Sequence, residues 1–74
     1  MKVSEFRRAV VEEFGSGYSA VLTRDTHLAE LDGRTADEAL AAGVPAGTVW
    51  LALCRFQDVP ESRRHGRGLP EPQR

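Results

Sequence analysis

Thr35-Ala36-Asp37-Glu38-Ala39-Leu40-Ala41-Ala42-Gly43-Val44-Pro45-Ala46-Gly47-Thr48-Val49-Trp50-Leu51 is the stretch on which the fold turns. Its first four residues read as a capping box. The Thr35 hydroxyl can accept from the Glu38 amide, and the Glu38 carboxylate can reach back to the Thr35 amide. Asp37 and Glu38 also lie at the positive end of the helix dipole. The Ala-rich run over 36–42 continues the helix and Gly43 stops it. Pro45 suits the first position of a last helix, where its missing amide proton costs nothing.

That last helix is expected over 46–57. A helical wheel puts Val49, Leu53 and Phe56 on one side, Trp50 and Cys54 beside them, and Arg55 roughly opposite. By propensity alone the run Val49–Cys54 also fits a buried strand. Pro45, the Ala/Leu content and the lack of a partner strand decide for helix, and Pro60 is expected to end it.

Working outward, Phe6, Ala9, Val10 and Phe14 recur at helical spacing, with Ser4 as the expected N-cap and Gly15 as the C-cap. This predicts a first helix over 5–14. Ser16 can cap a second over 17–31, with Tyr18, Val21, Leu22, Leu28 and Leu31 as its apolar positions. The phase slips at Thr23–Thr26, which predicts a kink or a break into two short helices. Asp32-Gly33 ends that segment. The fold expected is all-α: a bundle of three to four short helices over 1–59 and a disordered basic tail over 60–74. The tail holds too few apolar side chains to offset the entropy of ordering it.

The chain has 74 residues and a net charge of −1, which allows one domain with a small net stability, on the order of 3–5 kcal/mol. Cys54 is the single cysteine, so no intrachain disulfide can form and a reducing compartment fits best. Met1–Arg8 carries charges of both signs without an apolar run, and Val49–Cys54 is far too short to span a bilayer. Export and membrane insertion are not expected; a cytoplasmic protein is. The body over 1–59 is acidic and the tail over 60–74 basic. Nucleic-acid binding through the core is therefore disfavoured, and a weak contact through the tail is the most that charge supports.

Ala39–Leu51 resembles the helix-turn-helix signature of bacterial repressors. Ala39 is the small residue that lets two helices approach, Gly43 makes the turn, and Val44 and Val49 face the core. The reading face is what the pattern lacks. It would present Ala46, Gly47, Thr48, Leu51 and, late, Arg55, whereas base readout needs Arg, Lys, Asn or Gln and phosphate clamping needs cations. DNA binding through Thr48 and Arg55 is the alternative reading, and a packing hairpin the preferred one.

Cys54 reads as a small core residue. Asp25, His27 and Glu30 crowd too few turns to make a good metal site, and Glu12 and Glu13 point in different directions on a helix. There is no phosphate loop and no nucleophile–base arrangement. No enzyme, cofactor or metal is expected. Trp50 and Leu51 are the stronger candidates: a core this small cannot surround every side of so apolar a helix, and an exposed Trp50/Leu51 patch would serve a protein partner or a homodimer, the other reading being a plain core role for both.

The chain also resembles the actinobacterial family called domain of unknown function 3046. The resemblance is carried by Ser4-Glu5-Phe6, Glu13-Phe14-Gly15 with Tyr18, and Leu28-Ala29-Glu30-Leu31-Asp32-Gly33-Arg34-Thr35. It continues through Ala39-Leu40-Ala41-Ala42-Gly43, Pro45, Val49-Trp50, Cys54 and Val59-Pro60. Family members often have tryptophan after the first phenylalanine, where this chain has Arg7. The resemblance implies a short helical protein whose gene lies near those of the DNA-strand-exchange recombinase and its small regulator, a DNA-repair setting. It carries no catalytic or binding residue across. The function expected is a non-enzymatic protein-interaction module.

Overall fold

The computed structural model describes residues 1–64. Helix α1 spans Val3–Phe14 and begins before the expected cap. Lys2 is the extended N-cap residue, and the Glu5 carboxylate accepts its amide at 2.7 Å. Ser4 thus lies inside the first turn: a carboxylate at the third helical position already satisfies the N-terminal amide. Phe6, Ala9 and Val10 turn inward.

A single residue, Gly15, separates α1 from α2, which spans Ser16–Asp25. Its φ of 87° lies where only glycine is unstrained. Its amide closes α1 on the Val11 carbonyl (2.8 Å), and its own carbonyl accepts the Ser19 amide to open α2 (2.9 Å). Ser16 is the first helical residue and makes no side-chain cap. The slip at Thr23–Thr26 is a true break. Helix α2 stops at Asp25, Thr26 is extended, and a 3-10 turn follows at Ala29–Leu31.

Leu22, Leu28 and Leu31 are buried as their spacing predicts, but Tyr18 and Val21 are 49% and 44% exposed. The inward side of α2 is instead Ser19, Leu22 and Thr23. Small residues can face inward there because their hydroxyls bond the helix's own carbonyls: Ser19 Oγ to Ser16 at 3.1 Å, Thr23 Oγ1 to Ser19 at 3.0 Å.

The 28–34 loop closes where the Leu28 amide donates to the Arg34 carbonyl (3.0 Å). It delivers buried Thr35 to the start of α3, Ala36–Ala41. Both halves of the capping box form: Glu38 N–H to Thr35 Oγ1 at 3.1 Å, and Thr35 N–H to Glu38 Oε1 at 2.9 Å. Gly43, at φ 92°, makes the turn into α4, Ala46–Phe56. Pro45 is the residue before that helix rather than its first, with extended ψ of 138°. Asp58 takes the left-handed conformation that stops α4, and the Val59 amide closes back on the Cys54 carbonyl at 2.9 Å.

Helix α4 packs on α1, α3 and the 3-10 turn, while α2 packs on α1 and α3. Trp50, Phe6, Leu22, Leu28, Leu53, Val10, Val49 and Cys54 are the largest fully buried side chains. The all-α reading holds, with two corrections at the C-terminal end. Phe56, placed on the core stripe, is 54% exposed, because it is the last residue of α4 and its ring borders an open groove instead of a packed neighbour. The tail expected from residue 60 opens with a further short helix, α5, at Glu61–Arg64. Residues 65–74 lie outside the described residues.

Thr35→Ala should lower unfolding free energy by about 1 kcal/mol through loss of the cap. Chemical denaturation should show an unchanged slope and a lower midpoint.

Candidate functional site

The two residues expected to form an exposed patch lie elsewhere. Trp50 has no exposed surface, and Leu51 is half-buried against the core. The expectation of a Trp50/Leu51 contact surface is therefore corrected. The wheel underestimated the cover available to α4, because α5 supplies some that periodicity could not announce. The Trp50 ring meets Phe14 at a centroid distance of 6.4 Å and a tilt of 58°. Its Nε1–H donates to the Arg64 carbonyl at 3.0 Å.

The α3–turn–α4 hairpin does form, and it exposes Thr48 and Arg55 as the pattern predicted. Arg55 is already engaged. Its Nε donates to the two Glu30 carboxylate oxygens at 2.8 and 3.0 Å and its Nη2 donates to Oε1, a side-on clasp joining α4 to the 3-10 turn. That hydrogen bond holds the Glu30 carboxyl below its usual range and raises Arg55. Thr48 is left as an uncharged position on a face without an unengaged cation.

Asp25, His27 and Glu30 point to separate partners. Asp25 accepts Arg24 at 3.1 Å through both oxygens, and Glu30 takes Arg55. His27 Nδ1 lies 2.7 Å from the Gly33 carbonyl, so the proton sits on that nitrogen. Among the described residues no cluster of metal-ligating side chains assembles. Cys54 is buried.

Three apolar side chains that the sequence had assigned inward, Tyr18, Val21 and Phe56, lie instead at the surface. Gln57 Nε2 donates to the Tyr18 hydroxyl at 2.8 Å, bringing the start of α2 to the end of α4. Val21 follows one turn along the same side of α2. Phe56 borders an open groove of about 130 Å³ between the 3-10 turn and α4, floored by Leu28 and Ala52 and closed on one side by the Glu30–Arg55 pair. The signal that could have found them is the position of Phe56 and Tyr18 at helix ends, where an apolar stripe outruns the neighbours that bury it.

A second cleft, of about 420 Å³, opens between α1 and α2 over Val10, Val11 and Ala20. Arg7 stands at its edge, with Nη2 2.7 Å from Asp37 Oδ1. The contact is one of charge, since that buried oxygen has no aligned hydrogen-bond donor.

The class so defined is a small all-helical domain with an apolar groove at its surface. The family described as "Protein of unknown function (DUF3046)" matches residues 1–62, and the chain belongs to it. No curated protein and no solved structure matches the chain. No helix among the described residues is long and apolar enough to cross a membrane.

Because Glu30 loses its proton more readily when folded than unfolded, its pairing stabilises the fold above the ordinary carboxylate pKa of about 4.3. That contribution fades as pH falls through the lowered folded value. Glu30→Gln should therefore flatten the acid limb of a plot of Tm against pH, with only a small change near neutrality.

Proposed function

We propose that the chain is a non-enzymatic protein-interaction module that acts in the cytoplasm. The single observation that carries this reading is the half-exposed Phe56 ring beside the groove over Leu28 and Ala52, with a second half-exposed ring, Tyr18, tied to the end of α4 through Gln57. A domain this small gains stability from each apolar side chain it covers, so leaving two aromatic rings half in water is costly unless another surface covers them. Aromatic side chains also supply much of the binding energy at protein contacts. The occupant that fits is a protein segment placing an aliphatic or aromatic side chain into the groove, with a polar neighbour facing the Glu30–Arg55 pair.

The DNA-binding alternative has the hairpin in its favour. Against it stand the Arg55–Glu30 clasp and the uncharged Thr48, which leave the reading face without a free cation. The DNA-repair setting implied by the family resemblance is the place to seek a partner.

Phe56→Asp should leave the helical circular-dichroism spectrum and melting cooperativity intact, since its ring is half-exposed, and should abolish recovery of partners captured by the wild-type chain. Unchanged recovery from a folded Phe56→Asp chain would sink the proposal. Fluorescence anisotropy with duplex DNA should show no binding even at low salt, where backbone attraction is strongest. Salt-sensitive binding lost in Arg55→Ala would favour the alternative.

A further inference from the structure

A fully buried tryptophan at the middle of a core helix ordinarily donates its N–H to its own surroundings. Trp50 donates instead to the carbonyl of Arg64, fourteen residues on, in a four-residue helix with no buried side chain. The second tie is similar in kind. The Glu13 side chain, near the end of α1, is only 8% exposed, and Arg63 pairs with it through Nη2 at 3.0 Å and Nε at 3.1 Å. Arg64 Nε braces the segment on itself by donating to the Val59 carbonyl at 2.8 Å.

We propose that the recess formed by Glu13, Phe14 and Trp50 is a peptide-binding site that the chain's own Glu61–Arg64 turn occupies, and that an arginine-bearing segment of a partner competes for it. The recess reads two things: a main-chain carbonyl, through the indole N–H, and a guanidinium, through the Glu13 carboxylate. Neither is peculiar to the resident turn. A fork-shaped guanidinium matches a carboxylate in any chain that presents one. Among the described residues the turn buries no side chain, and four residues are too short to be helical alone. Its side chains lie at the surface, and a surface turn tied down through polar contacts opens locally at lower cost than the core. Opening returns a carboxylate and an indole N–H to water and uncovers one edge of the Phe14–Trp50 pair. The tether keeps the resident turn at high local concentration, so a free competitor binds weakly until the turn is displaced. This site is separate from the Phe56 groove, and the two stand or fall independently.

Trp50 is the only tryptophan in the chain, so its signals report on this recess alone. In the full wild-type chain, hydrogen exchange of the indole N–H should be at least roughly tenfold faster than that of the Val49 and Leu53 amides, through local opening. Exchange of all three at one rate, set by global unfolding, would overturn the proposal. Arg63→Glu, which sets like charges against each other, should red-shift Trp50 emission and raise its quenching by acrylamide several-fold. Glu13→Arg combined with Arg63→Glu should restore protection. A capped Pro-Glu-Ser-Arg-Arg peptide should then saturably protect Trp50 in the Arg63→Glu chain. In wild type it should bind roughly tenfold or more weaker, because the tethered turn competes. The same peptide with its first arginine changed to glutamate should not protect. Equal protection by both peptides, or none by either, would count against the site. Loss of helix in Arg63→Glu would likewise contradict a turn that opens at lower cost than the core, and the wild-type exchange measurement stands whatever that variant does.

Discussion

The indole of Trp50 is the point through which the structure is joined. Helix α4 is the element that touches α1, α3 and the 3-10 turn, and Trp50 fills its middle with no surface left to solvent. A ring of this size buries more apolar area than any other residue type, so its position determines where α1 and α4 can lie. Phe14 meets it from the end of α1, and α5 closes over its N–H. Much of the remaining core is small: Ala9, Ala36, Ala39, Ala46 and Ala52 are all buried. Small residues allow close helix approach but contribute little area each, and so raise the dependence on Trp50, Phe6 and the buried leucines.

Charge is used locally rather than as a field. The described ion pairs each join positions on or beside different elements, apart from Arg24–Asp25: Arg7 to Asp37, Arg55 to Glu30, Arg63 to Glu13. Most are half-exposed and contribute little to stability individually. Their value is positional. They engage Arg7, Arg55 and Arg63 with carboxylates of neighbouring elements.

The sequence made some of this legible and concealed the rest for identifiable reasons. The Thr35–Glu38 box was readable because all its partners lie within one turn, and Gly43 because a turn of this kind needs a positive φ. The break after Asp25 showed as a slip in phase. The N-cap at Lys2 was missed because Ser4 and Glu5 both offer local solutions and only their relative geometry selects one. Phe56 and Tyr18 were placed inward because periodicity measures direction around a helix and says nothing of where the neighbouring helix stops. Whether Trp50 is core or contact surface was left open because part of its cover, Glu61–Arg64, has no apolar signal of its own.

The sequence by itself determined the helical class, the turn positions, most of the buried set and the family. These follow from interactions within a few residues of each other: caps, glycine conformations and apolar spacing. Only the tertiary structure decided which apolar residues are covered and which are offered to a partner. That choice depends on contacts far apart in the chain, such as Gln57 with Tyr18 and Arg64 with Trp50. Burial is a property of what lies opposite a side chain, and a linear pattern does not contain what lies opposite.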